Sequence, residues 1–320
     1  MHTARPRLPK RAVHGVLLLD KPLGLTSNDA LQRVKRLYQA EKAGHTGTLD
    51  PLATGLLPLC FGAATKFSQI SLDADKRYVA MLRLGVTTTT GDAEGQVLAR
   101  QDVGVGRAAL EAACAGLTGP IAQVPPMHSA LKHEGRALYD YARAGEHVDR
   151  EARAVTIHRI EILDLQDEHC TLDVRCTKGT YIRVLAEDIG RALGCGAHLS
   201  GLRRIASGAL TLEGAHTLEA LTAMSATQRD QALLDADALL ADWPLVRLGT
   251  EDAGRFLSGL RRRVSMPDAQ NVRVYGPQPR AFLGGGHIRA GELISTRLLS
   301  PVEVQGLLTP KELARERVST

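Results

Sequence analysis

Apolar positions along the 320-residue chain fall into three patterns, and each predicts a different element. Residues 14–20 (HGVLLLD) are a short, nearly unbroken apolar run, the mark of a buried strand, and Lys21-Pro22-Leu23-Gly24 ends it. Behind it Ala30, Leu31, Val34, Leu37 and Tyr38 recur at helical spacing. With Ser27 as N-cap they predict an amphipathic helix over 28–39, its basic residues outward. A second strand is expected at 56–61. Residues 76–85 alternate instead, with Tyr78, Ala80, Leu82 and Leu84 on one strand face and Val79, Met81 and Arg83 on the other.

Downstream, 86–95 reads as a polar turn region, 107–116 as a helix and 137–143 as a short helix. Residues 155–165 and 171–176 read as paired strands across a polar turn. A helix starts near Tyr181, with Ile182, Leu185, Ala186, Ile189 and Leu193 as its apolar stripe. Residues 217–240 are Ala- and Leu-rich and read as helical. Trp243-Pro244 marks a boundary, and beyond it short strands separated by turn signals, Gly284-Gly285-Gly286 among them, predict a small, mainly β module. The expected organisation is a basic arm over 1–13, a large domain over 14–243 and a small one over 244–320.

Composition narrows the function classes. With 44% apolar residues the chain can bury a full core, and no apolar run approaches the ~18 residues of a membrane span. The net charge of +5 permits a polyanionic partner without requiring one. Arg33, Lys35 and Arg36, the Arg203-Arg204 pair and Arg261-Arg262-Arg263 form basic clusters; any one alone is a solvated face, and together they point towards nucleic acid. Five cysteines without C-x-x-C spacing argue against a disulfide framework or a structural zinc site and for reduced thiols in a cytoplasmic protein. No nucleotide-binding glycine fingerprint, H-E-x-x-H or G-x-S-x-G sequence is present.

What remains is the stretch from Gly44 to Gly55, GHTGTLDPLATG. Three glycines and a proline make it neither helix nor strand. It is either a surface turn in which Asp50 bonds its own backbone or a shaped loop that presents a carboxylate. A working carboxylate must be ionised and desolvated at once, which a nearby guanidinium allows. Arg183 is a candidate partner, against the alternative of a surface pair with Glu187 one helical turn on.

GHTGTLDPLATGLLPL resembles the catalytic motif of the bacterial tRNA pseudouridine-55 synthases, the TruB family. HGVLLLDKPLGLTSNDAL, KRYVAMLRLGVTTTTGDAEG, PPMHSALKHEGRALYDYARAG, KGTYIRVLAEDIG and CGAHLSGLRR resemble further blocks of that family in the same order, from His14 to Arg204. His128 departs from it, standing where the family often has Tyr. The resemblance implies an α+β fold with a mixed, largely antiparallel sheet and a small C-terminal PUA-like module. It implies isomerisation of uridine to pseudouridine in the T-loop of tRNA, on a base flipped out of its stack, with no cofactor and no metal.

Carried onto matching positions, Asp50 is the catalytic carboxylate, attacking ribose C1′ or taking a proton from C2′. Arg183 pairs with it, and Tyr78 stacks on the base and assists proton transfer. His45 fills the vacated space, and Tyr181 and Leu202 line the uracil pocket. Lys21 and Asp92 occupy motif positions, with structural support as their default role. The implied partner is tRNA at its T-loop and elbow, with no membrane and no obligatory protein partner, for a cytoplasmic monomer. Two other readings stay open: an RNA chaperone that folds tRNA, and a glycosidase using Asp50 and Asp92 as its carboxylate pair.

Overall fold

The computed structural model describes residues 9–129, 131–277 and 281–308. Strands β1 (Gly15–Lys21), β2 (Ala43–His45), β3 (Ala53–Phe61), β4 (Lys76–Leu84), β5 (Gly119–Gln123), β6 (Arg153–Gln166), β7 (His169–Cys176) and β8 (Ala197–Ser207) build the larger sheet. Its order is β1-β3-β8-β4-β7-β6-β5, with β2 along β3 and the two-residue strand Leu210–Thr211 along β8. Every pairing is antiparallel except β3 with β8, which run parallel through Leu202–Ala53, Arg203–Thr54 and Arg204–Gly55. The sheet is therefore mixed and largely antiparallel. Strand β8 lies inside the sheet, between the strand that follows Asp50 and the strand that carries Tyr78.

Helix α1 (Ser27–Leu37) buries Ala30, Leu31 and Val34 against β1 and β3, the face its spacing predicts. Its N-cap is Thr26, whose hydroxyl accepts from the Asp29 amide. Ser27, expected in that role, stands one residue inside and is buried. Helix α2 (Ile182–Ala192) lays Ile182, Leu185, Ala186 and Ile189 on the sheet. It approaches β8 so closely that a Cβ on Gly190 would lie 2.2 Å from the Ala197 amide nitrogen.

Other expectations change as well. Residues 217–240 are not one helix: Leu218–Ala223 ends before Ser225, whose capping box with Gln228 starts a new helix, Ala226–Gln231. Two orphan N-terminal amides satisfied there outweigh the propensity of the run. The chain then bridges to β1 at Leu234–Val16 and makes a 3₁₀ turn at Ala238–Leu240. Within 86–95, Val86–Thr88 pairs with Val97–Arg100 as a small hairpin. Residues 1–8 of the expected arm lie outside the described residues, but Arg11 is fixed, its guanidinium on Asp230 at 2.8 Å and on the Tyr38 carbonyl.

The second sheet contains β9 (Leu245–Arg247), β10 (Arg262–Arg263), β11 (Ala269–Tyr275), β12 (Phe282–Arg289) and β13 (Glu292–Leu298), in the order β9-β11-β12-β13-β10. The glycine triplet read as a turn lies inside β12. A Cβ on Gly284 would meet the Arg297 carbonyl at 2.2 Å, and one on Gly286 the Ile294 carbonyl at 2.6 Å. Glycine here marks close backbone approach in a bulged strand, not reversal.

One hydrophobic cluster joins both sheets, with Val16, Leu18, Leu56 and Phe67 packed among Val246, Phe256, Val272 and Phe282. Polar contacts run along the same boundary. The Tyr275 hydroxyl donates to Asp237 at 2.6 Å, Arg273 reaches the same carboxylate, and Lys66 pairs with Glu303. All five cysteines are free and buried. Among the described residues no helix is long and apolar enough to cross a membrane.

Candidate active site

The loop between β2 and β3 is fixed from four sides. Thr46, fully buried, donates its amide to the Pro58 carbonyl and accepts from the Ser71 hydroxyl at 2.9 Å. The Ser27 hydroxyl serves both backbone groups of Leu49, accepting from its amide at 2.7 Å and donating to its carbonyl at 3.1 Å. The Gly24 amide holds the Pro51 carbonyl, and the Asp50 carbonyl accepts from Ala53. Arg204 donates to Leu56, Gly47 and Thr48 carbonyls from beneath. A segment with poor intrinsic propensity is thus held in one shape by side chains from α1, β8 and the helix Ser68–Asp73, and it presents Asp50.

Asp50 faces Arg183. Their Oδ2 and Nη2 atoms are 3.0 Å apart. Arg183 is nearly inaccessible and sits on the buried side of α2; its Nη1 is 3.4 Å from Asp92, and it donates to the Thr90 and His128 carbonyls. These acceptors fix the guanidinium plane, so the fork rather than a mobile charge meets the carboxylate. Asp92 is itself buried, accepting from the Thr90 hydroxyl and the Glu94 amide. The Asp50 side chain stays 44% accessible on its open side, while packed protein atoms on the other sides partly desolvate its carboxyl. That desolvation pushes its carboxyl above the usual value, and the nearby Asp92 adds to it; Arg183 and then Lys21 pull the other way.

Lys21 is fully buried. Its ammonium donates to the Pro22 and Leu25 carbonyls at 3.0 and 2.6 Å, and burial brings its pKa down to about 8. Tyr78 is half-buried on β4, a cross-strand neighbour of Arg204 on β8 and of Val174 on β7. Burial raises its phenol pKa; Arg204 opposes this and Asp50 adds to it, so both groups lie near the ring oxygen. Leu202 sits between Ala53 and Ala80, half-buried. His45, on β2, has a buried Nδ1 with no hydrogen-bond partner among the described residues, and burial and Arg204 lower its pKa. Tyr181 precedes α2, two residues before Arg183. Its amide donates to the Gln123 side chain, which donates back to its carbonyl.

Arg183 therefore touches Asp50, and Lys21 and Tyr78 lie within reach of the Asp50 charge. Arg204 acts on both Tyr78 and His45, and Leu202 packs in the same clusters as Tyr78, so elements as far apart in sequence as β1 and β8 meet around Asp50. Arg183 is not a surface partner of Glu187. Asp92 stands behind Arg183, so the two carboxylates are not a free pair of the kind a glycosidase uses. Sequence reading missed Ser27, Gln123 and the inward role of Arg204. For Arg204 the signal was parity, since in a strand it shares a face with Leu202, the residue expected to line the pocket.

The N-terminal domain model of the TruB family pseudouridylate synthases matches residues 35–182. The tRNA pseudouridylate synthase B C-terminal domain model matches 183–241, and the pseudouridine synthase II TruB C-terminal model matches 244–299. The chain is 59% identical over 304 residues to tRNA pseudouridine synthase B of Cupriavidus pinatubonensis, covering 92% of this chain and 96% of that one. It is 57% identical over 302 residues to the protein of the same name in Burkholderia pseudomallei, covering 92% and 97%.

The chain belongs to the TruB family of pseudouridylate synthases.

The TruB fold extends to solved structures. The Cbf5-Nop10-Gar1 complex contains a chain with a TM-score of 0.69 at 25% identity, covering 91% of this chain and 87% of that one. In the archaeal box H/ACA sRNP Nop10-Cbf5 complex the values are 0.68 and 23%, over 92% and 88%. As a TruB enzyme the chain is an isomerase of uridine, a reaction that leaves redox state and composition unchanged.

Proposed function

We propose that the chain isomerises the uridine at position 55 in the T-loop of tRNA, with Asp50 as the catalytic carboxylate. The observation that carries this is the 3.0 Å contact between the loop carboxylate Asp50 and the buried Arg183, with Tyr78 close enough for the Asp50 charge to act on its phenol. Burial disfavours the charged carboxylate, and the Arg183 fork, oriented by Asp92 and two carbonyls, supports it where the ribose arrives. From that state Asp50 attacks C1′ or removes the C2′ proton. On the first route the C1′–N1 bond breaks as the Asp50 ester forms, uracil turns, and C5 displaces the carboxylate from C1′. On the second, uracil leaves as C2′ loses its proton, and C2′ regains a proton when C5 adds to C1′. On both, C5 loses one proton and N1 gains one, so the composition is unchanged.

Tyr78 supplies a ring to stack on the everted base, worth roughly 1–3 kcal/mol, and a phenol near Asp50 for the proton at C5. Leu202 and Tyr181 bound the pocket, and His45 fills the space the base leaves. Lys21 acts through the 22–25 turn, which its ammonium ties together. The 14–243 region supplies the chemistry and the 244–320 module phosphate contacts to the tRNA elbow. In that module Arg261 and Arg262 are paired with Glu292 and Asp252, which leaves the exposed Arg263 as the basic-cluster residue best placed for phosphate. The enzyme works in the cytoplasm as a monomer.

Pseudouridine mapping in tRNA incubated with purified protein tests the reading. Asp50→Asn is expected to abolish modification while retaining tRNA binding. Modification at another position, or an active Asp50→Asn variant, would overturn it. Binding that persists in the inactive variant also leaves room for assistance to tRNA folding.

A further inference from the structure

Arg204 is 1% exposed and is the largest of the fully buried side chains. Among the described residues no carboxylate pairs with it. Its bonds go to neutral carbonyls: Nε to Leu56 at 2.7 Å, Nη2 to Gly47 at 3.1 Å and Nη1 to Thr48 at 3.5 Å. A buried cation without a counterion costs stability, so packing alone does not explain an arginine at this position. Its place in the sheet offers a reason.

Arg204 is the cross-strand neighbour of Gly55 on β3 and, on the other edge, of Tyr78 on β4. The first neighbour closes the loop that presents Asp50; the second carries the phenol. The guanidinium then reaches back under the loop, so Gly47 and Thr48 on one limb and Leu56 on the other hang from one rigid fork. Two glycines make room for it. Gly55, at φ +97°, would otherwise put a Cβ 2.3 Å from the Arg204 carbonyl, and Gly47, at φ +83°, one 3.3 Å from Nη1. The charge of the same cation acts on the Tyr78 phenol and reaches the His45 ring.

We propose that Arg204 is a positioning residue that holds the Asp50 loop and the Tyr78 phenol in one frame. This rests on the reading of Asp50 and Tyr78 given above. A lysine keeps the charge but offers a point donor where three carbonyls at different angles need a planar fork. Misplacing reacting groups by about an ångström costs on the order of 10²-fold in rate.

The test is single-turnover pseudouridine formation at saturating enzyme, alongside the tRNA Kd and the thermal midpoint, for Arg204→Lys, Tyr78→Phe, the double variant and Asp50→Asn. Arg204→Lys is expected to lose about 10²-fold in rate per folded enzyme while Kd changes less than about 3-fold. In the Tyr78→Phe background its penalty shrinks. A folded Arg204→Lys enzyme with the parent rate, or a penalty undiminished by Tyr78→Phe, overturns the proposal. If Arg204→Lys does not fold, Gly47→Ala takes its place, pressing a methyl group against Nη1. A rate loss without a Kd change supports the proposal, and an unimpaired rate overturns it. An active Asp50→Asn would defeat the reading of the site itself, whereas an inactive Asp50→Asn beside an unimpaired Arg204→Lys defeats only the role of Arg204.

Discussion

Replacing Arg183 with methionine keeps most of the side-chain volume and removes the fork. At an effective dielectric near 20, unit charges 3.0 and 3.4 Å apart attract by about 5.5 and 5 kcal/mol. The Asp50 arm is 44% accessible, so water screens much of the first value. The Asp92 arm is buried, and stripping a buried carboxylate of its cation costs about 3–5 kcal/mol. Arg183→Met should therefore lower the thermal midpoint by roughly 4–8 °C, mostly through Asp92. The chemical consequence is separate. Arg183 is the main force keeping the Asp50 pKa down against burial and Asp92. Activity needs the ionised form, so it falls as pH drops through the Asp50 pKa. Removing Arg183 raises that pKa and moves the acid limb of the pH–rate profile to higher pH. Removing the Asp92 charge with Asp92→Asn moves the limb the opposite way, although the rate falls because Arg183 loses its anchor. Single-turnover rates across pH for the three proteins decide the matter. Limbs that coincide, or that move together in both variants, would refute the electrostatic reasoning.

Asp50→Asn should melt above the parent protein at neutral pH, because burial makes the ionised carboxylate unfavourable to the fold. The gap should close as pH falls below the ordinary carboxylate value, where both side chains are neutral; calorimetry at two pH values checks both halves. Gly55→Ala should cost at least about 2 kcal/mol, since its Cβ would sit 2.3 Å from the Arg204 carbonyl at a positive φ, and urea titration measures this. Tyr275→Phe should cost about 1–3 kcal/mol by removing a hydroxyl from the buried Asp237 carboxylate. With a core shared by both sheets it should shift one unfolding transition as a whole; two resolved transitions would show that the sheets unfold independently.

Elements whose pattern reflects burial on one face were legible. The α1 and α2 stripes, the alternation of β4 and the apolar run of β1 each state which side meets the core. Helix ends were less legible where hydroxyl residues compete, as Thr26 did with Ser27, because capping depends on where the chain turns rather than on residue type. The glycine triplet misled because glycine serves both reversal and close approach, and only the neighbouring strand distinguishes them. At the site, Asp50 stood out through the composition of its loop and through family resemblance. Ser27, Gln123 and Arg204 did not, because each acts on the backbone of a distant segment. The internal partners of the basic clusters were illegible for a related reason: Arg203 pairs with Asp20, Arg204 with carbonyls, and Arg261 and Arg262 with nearby acids.

The interior position of β8, between β3 and β4, also sets an order of events during synthesis. Arg204 leaves the ribosome about 150 residues after Asp50, a delay of roughly 8–30 s at ~5–20 residues per second. Until then β1 and β3 can pair as a long hairpin, but much of the inner edge of β3 has no neighbour and the acidic loop has no brace. A nascent chain in that interval exposes an apolar strand edge of the kind that aggregates or recruits chaperones. Catalytic competence would then arrive late and in one step, when a single strand from the second half of the chain slots between two strands made long before it.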